Sequence, residues 1–138
     1  MVLALKTHPN LDPATTSRDG FDIVFEPALE LNGILAATDI LITDYSTSVI
    51  EWALLKRPLV LFVPDLAEFE ANPGLYLDYR TEMIGALAET TDEVASAINV
   101  GQFGGGDVEA FVARHLGACD GHASERFVRH FLGEGGPS

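Results

Sequence analysis

The stretch Ile40-Leu41-Ile42-Thr43-Asp44-Tyr45-Ser46-Thr47-Ser48 carries a short apolar run straight into a cluster of hydroxyls, and Val49-Ile50-Glu51-Trp52-Ala53-Leu54-Leu55 follows at once. The first part reads as a buried strand, the last as a helix, with the hydroxyls at the turn between them. A strand that enters a helix in this way directs backbone N–H groups and Ser/Thr hydroxyls at one spot, an arrangement that suits a phosphate. A phosphorylated ligand is the first expectation.

Outward from this stretch, strands and helices alternate. On the N-terminal side, Val2-Leu3-Ala4-Leu5-Lys6 and Asp22-Ile23-Val24-Phe25 read as strands, and Leu29 to Ala37 as a helix despite Gly33. On the C-terminal side, Leu59 to Val63 is a strand between two prolines, and Gly85 to Glu89 is a short last strand. Thr90 or Thr91 then caps a helix through Val94 and Ile98, with Asp92 and Glu93 in its first turn. Gly104-Gly105-Gly106 breaks the pattern before a helix from Val108 to Leu116, and another runs from Ser124 through Phe131. Asp65 to Arg80 reads as irregular, with Asn72-Pro73-Gly74 as a turn, and the tail 133–138 as disordered. This alternation predicts an α/β domain over 1–132 with a mainly parallel sheet, whose ligands sit beyond the carboxyl ends of the strands. The chain starts inside its first strand, as though cut from a longer protein.

With 138 residues and 47% apolar composition, the chain can bury a core. Eight Lys and Arg against 21 Asp and Glu leave a formal charge of −13, which argues against nucleic acid and anionic membrane surfaces as partners. A phosphate must then be held locally, which is feasible because salt confines distant charges to ~8 Å. The lone Cys119 excludes an internal disulfide framework and a multi-cysteine zinc site, and reads as an inert thiol. No apolar run approaches the ~18 residues of a membrane span, so a cytoplasmic location is expected.

Several residues are candidates for chemistry. Ser46, Thr47 and Ser48 are more hydroxyls than one cap requires, although Ser48 with Glu51 also spells a capping box. Thr43 closes the strand. Asp44 can act as a general base or a metal ligand, or can fix the turn by accepting backbone N–H bonds; no second carboxylate stands at ligand spacing, which favours the turn role. Glu51 can accept from ribose hydroxyls or complete the cap. His8 ends the first strand before Pro9 and can donate to a phosphate oxygen or protonate a leaving group. Lys6 reads as a strand-edge lysine at solvent. Asp65, after the strand 59–63, can reach the same crevice. Trp52, Phe62, Phe69, Tyr76 and Tyr79 can stack on a base or fill the core, and His115, His122 and His130 read as surface or packing residues.

In order along the chain, Lys6-Thr7-His8-Pro9, Ala37 to Ser48, Leu55-Lys56-Arg57-Pro58, Pro64-Asp65-Leu66, Gly74 to Tyr79 and Asp120 to Arg126 form a pattern. It resembles the C-terminal part of the CDP-glycerol glycerophosphotransferase family, which builds teichoic acids. The resemblance implies the donor half of a GT-B enzyme with a Rossmann-like sheet, incomplete here because its first strand–helix unit and the N-terminal acceptor domain are missing. It further implies that CDP-glycerol is the donor, that His8 and the Ser46-Thr47 turn contact its pyrophosphate, and that Glu51 lies near the ribose. A base from the N-terminal domain would activate the acceptor hydroxyl, at the inner membrane face. No cofactor or metal is required. Two departures stand out: Pro73-Gly74 where the family has Arg-Gly, and Ile84-Gly85-Ala86 where it often has Pro-Gly-Pro. A GT-B glycosyltransferase using a nucleotide sugar, and a non-catalytic α/β partner-binding module with Asp44 at a strand end, remain as alternatives.

Overall fold

The computed structural model describes residues 1–8, 10, 11, 15–71 and 77–133. Pro9, the turn at Asn72-Pro73-Gly74, Tyr76 and the tail beyond Gly133 lie outside the described residues. The chain divides into two compact units, Met1–Ala37 and Thr38–Ser138.

In the first unit, β1 (Ala4–Lys6) pairs in parallel with β2 (Ile23–Phe25), with Ala4 opposite Ile23 and Lys6 opposite Phe25. The Asp22 carboxylate accepts from the Leu3 N–H at 2.8 Å and fixes the entry to β2. Lys6 is not the solvent-facing lysine that the sequence suggests. It is half-buried, and its Nζ donates to the Pro27 carbonyl at 2.6 Å, tying the end of β1 to the loop after β2. Helix α1 (Leu31–Ala37) completes the unit, with Leu35 its buried residue.

The second unit holds a three-stranded sheet in the order β3 (Leu41–Thr43), β4 (Leu59–Phe62), β5 (Ala86–Ala88), parallel throughout. Parallel neighbours need crossovers, which α2 (Ser48–Ala53) supplies between β3 and β4, and α3 (Leu66–Ala71) between β4 and β5. The α3 helix falls in the stretch that reads as irregular. At six residues and with an acidic sequence, it carries too short a period to stand out. The central β4 is a continuous apolar run because neighbours cover it on both sides, and Leu59, Val60 and Leu61 are at most 2% exposed. Val49, Trp52 and Ala53 of α2 join them in the core, where the Trp52 indole N–H donates to the carbonyls of Arg57 and Pro58 at 3.1 and 3.2 Å.

Helix α4 (Thr91–Val100) packs on β4 and β5, and α5 (Val108–Leu116) packs on α2. The glycine run 104–106 does more than break a helix. A Cβ on Gly104, whose φ is +79°, would stand 2.3 Å from the Gly85 carbonyl oxygen, so glycine alone lets this loop bridge to the start of β5. Helix α6 (Ala123–Leu132) is exposed along its length. Among the described residues no helix is long and apolar enough to cross a membrane. The parallel α/β fold is therefore the one expected.

Candidate functional site

At the end of β3, Thr43 is half-buried, Asp44, Ser46 and Thr47 are exposed, and Ser48 is half-buried as the first residue of α2. The capping box spelled by Ser48 and Glu51 does not form. Thr47 is the residue at the N-cap position; its backbone is already helical (φ −64°, ψ −14°) and its side chain caps nothing. With the helix beginning at Ser48, Glu51 falls one position past the place from which a side chain can reach back. Its carboxylate is exposed and has no hydrogen bond among the described residues. The six residues of α2 also make fewer than two turns, so its aligned dipoles contribute less to an anion than a long helix would.

What remains at this corner is a set of donors. The Ser46 Oγ accepts from the Ser48 N–H at 3.2 Å and from the Ser48 hydroxyl at 2.9 Å. Both lone pairs of Ser46 are thereby engaged, which leaves its own proton to give outward. The N–H groups of Ser46 and Thr47 carry no hydrogen bond among the described residues, and both residues face solvent. The Ser46 and Thr47 N–H groups and the Ser46 hydroxyl are donors that match an acceptor-rich phosphate, and the Thr47 hydroxyl and the Asp44 carboxylate are exposed in the same segment. Asp44 does not fix the turn through its side chain, which accepts no hydrogen bond among the described residues; its carbonyl accepts instead from the Tyr79 hydroxyl at 3.4 Å.

Tyr45 and Asp65 are the residues that sequence reasoning passed over or placed loosely. The Tyr45 hydroxyl donates to Asp65 Oδ1 at 2.8 Å, and its ring stacks on Phe69 with centroids 4.1 Å apart and tilts against Tyr79 at 5.2 Å. Burial first, and then the Asp65 carboxylate, hold the Tyr45 phenol well above its ordinary range, while burial and the Asp44 charge raise Tyr79. Of the aromatics considered for base stacking, Trp52 is core, and Phe69 and Tyr79 pack on Tyr45. A tyrosine two residues past the strand end, with an acid 20 positions on at the next strand end, was the available signal.

In the first unit, His8 is exposed just past β1. Its Nδ1 accepts from the Asn10 N–H at 3.2 Å, so the neutral ring carries its proton on Nε2, a donor. His115 packs on Phe111, His130 meets Phe131 edge-on, and His122 pairs with Glu125, in line with surface and packing roles. Cys119 is exposed.

A family model described as CDP-Glycerol:Poly(glycerophosphate) glycerophosphotransferase matches residues 1–133. The teichoic acid poly(ribitol-phosphate) polymerase of Bacillus spizizenii is 36% identical over 104 residues, which cover 75% of this chain and 17% of that protein. The teichoic acid ribitol-phosphate primase of the same organism is 30% identical over 139 residues, 97% of this chain and 36% of the primase. The poly(glycerol phosphate) polymerase of Bacillus subtilis is 37% identical over 81 residues, 58% of this chain and 11% of that polymerase. Among solved structures, the wall teichoic acid polymerase TagF, in a variant soaked with CDPG, superposes with a TM-score of 0.72 at 22% identity, over 91% of this chain and 33% of that one. At that identity the likeness shows the fold. The chain thus spans about a third or less of the length of these relatives.

Proposed function

Since this chain belongs to the CDP-glycerol:poly(glycerophosphate) glycerophosphotransferase family, we propose that it is the donor-binding part of a transferase that moves glycerol phosphate from CDP-glycerol to a polymer hydroxyl. The observation that carries the reading is the pair of N–H groups at Ser46 and Thr47, without a hydrogen bond among the described residues, beside the Ser46 hydroxyl at the carboxyl end of a parallel strand. Relatives named for ribitol phosphate and for glycerol phosphate both match this chain. Their donors would differ in the alcohol and share the cytidine diphosphate, so a corner built for phosphate oxygens serves either.

In this reading the Ser46 hydroxyl and the amides of Ser46 and Thr47 bind the pyrophosphate, with Thr43, Thr47 and Ser48 completing the corner. Glu51 accepts from the ribose, and Asp44 bounds the phosphate side. The acceptor oxygen attacks the phosphorus bearing the alcohol, the bridging P–O bond breaks, and its electron pair leaves with CMP. His8, with its proton on Nε2, is the catalytic donor that neutralises charge on the departing phosphate. The base that takes the acceptor proton belongs to an N-terminal acceptor domain, and the complete enzyme works from the cytoplasm at the inner membrane face.

Calorimetric titration of the chain with CDP-glycerol, CDP-ribitol and CMP tests the binding half of this reading. Saturable heat with both CDP-polyols is the expected result. No heat with any of the three overturns it. In the complete enzyme, His8→Asn should lower kcat far more than it raises KM, and unchanged turnover would remove His8 from the chemistry.

A further inference from the structure

The hydroxyl corner is held by neighbours on one side. Immediately before Ser46, the Asp44 carbonyl accepts from the Tyr79 hydroxyl, and Tyr45 is fixed at three points: stacked on Phe69 of α3, tilted against Tyr79, and bonded through its hydroxyl to Asp65 Oδ1. After Ser46, the turn makes only short-range bonds among the described residues: the Ser48 N–H and hydroxyl to the Ser46 Oγ, the Val49 N–H to the Ser46 carbonyl at 3.3 Å, and the Ile50 N–H to the Thr47 carbonyl at 3.0 Å. No side-chain cap ties it to α2. The Ser48 contacts orient the Ser46 hydroxyl within the turn, and the long-range anchors of the segment are the Asp44 carbonyl and the Tyr45 side chain that precede it.

We infer that Tyr45 and Asp65 form a positioning pair, which joins the loop after β3 to the loop after β4 and holds the hydroxyl corner in its donor-out geometry. The inference rests on the donor-binding reading for its ligand, though its structural half does not. The pair has a second effect: Asp65 is exposed, and the phenol donates to one of its two carboxylate oxygens and so offsets part of its charge. Because the phenol titrates well above its ordinary range, it stays a donor throughout neutral and mildly alkaline pH.

The test uses the whole chain in two measurements. Tyr45→Phe keeps the ring on Phe69 and removes only the hydrogen bond; Asp65→Ala removes the acceptor; Asp65→Asn keeps an acceptor oxygen without the charge. With CDP-glycerol, Tyr45→Phe and Asp65→Ala should each raise Kd about tenfold, the size of effect expected for a hydrogen bond to a charged group, the double variant no further, and Asp65→Asn should restore near-normal affinity. Without ligand, backbone order parameters at Ser46, Thr47 and Ser48 should fall in Tyr45→Phe and hold in Asp65→Asn, with melting temperatures close to the parent. Unchanged order parameters overturn the inference, as does tighter binding in Asp65→Ala beside neutral binding in Tyr45→Phe, which would make Asp65 a repelling charge only. If Ser46→Ala weakens binding while Tyr45→Phe does not, the positioning pair falls and the donor reading stands. If the corner loosens in Tyr45→Phe but the parent chain binds no CDP-polyol, the donor reading falls and the pair stands.

Discussion

Two helices of the same unit follow two strands of the same sheet with the same spacing of hydroxyl and acid, and their starts are built in opposite ways. At α4, Thr90 is extended (φ −130°, ψ 156°), its hydroxyl accepts from the Glu93 N–H at 3.3 Å, and the Glu93 carboxylate accepts from the N–H groups of Thr90 and Glu89 at 3.2 and 2.7 Å. At that corner side chains close on the backbone, engaging the N–H groups of Glu89, Thr90 and Glu93. At α2, the residue in the same role is already helical, Ser48 lies inside the first turn, and Glu51 reaches back to nothing. A serine or threonine three residues before an acid is thus an incomplete instruction. The backbone conformation of the capping residue decides whether the box closes, and where it fails to close the serine and threonine hydroxyls and the acid are not spent on each other's backbone.

The largest consequence of the contrast concerns binding. Ser46→Ala should weaken CDP-glycerol by about 10- to 100-fold, the loss expected for a hydrogen bond to a charged group, with little change in stability. Calorimetry beside a melting curve checks both halves, and a normal Kd would place the ligand elsewhere. At the other corner the effects should invert. Thr90→Ala should cost about 1 kcal/mol of stability by removing a working cap and leave donor affinity unchanged. Urea unfolding of the two variants side by side would break the comparison if both lost stability equally.

Much of this was legible in the sequence. The alternation of apolar runs with amphipathic segments pointed to the parallel α/β architecture, and a cap at Thr90 or Thr91 was recognisable because Asp92 and Glu93 follow in the first turn; the structure selects Thr90. The hydroxyl cluster after Thr43 was visible as a candidate too. Its local geometry was not, because the backbone angles of Thr47 depend on how α2 docks through Val49 and Trp52, and docking has no local pattern. Tyr45 was invisible for a related reason: it sits in the quoted motif, but its partners Asp65, Phe69 and Tyr79 come from later in the chain, before, within and beyond a helix too short to show a period. Lys6 was misplaced because its acceptor is a backbone carbonyl 21 residues away, which side-chain patterns do not report.

The corner at α2 should also carry an alkaline signature that the corner at α4 lacks. Tyr45 and Tyr79 both have raised phenol pKa values, so the folded chain holds their protons where the unfolded chain releases them. Their contribution is intact below the ordinary phenol value of 10.0 and declines as pH climbs above it, because unfolding then releases protons. Denaturation midpoints measured from pH 8 to about 11 should fall at the upper end, and less steeply in Tyr45→Phe. A parallel fall in both proteins would show that Tyr45 does not carry the dependence.

The smallest effect sharpens the contrast most, because the two threonines are the same residue at equivalent places. Thr47 makes no capping bond and its side chain is exposed, so Thr47→Ala removes no hydrogen bond from the folded state and even trades a weak helix former for a good one. Stability should move by less than about 0.5 kcal/mol, against the loss of about 1 kcal/mol predicted for Thr90→Ala. Equal losses in the two variants would mean that Thr47 caps α2 in solution after all. Its hydroxyl would then be engaged by the helix, and the case for a ligand at this corner would narrow to Ser46 and its amides.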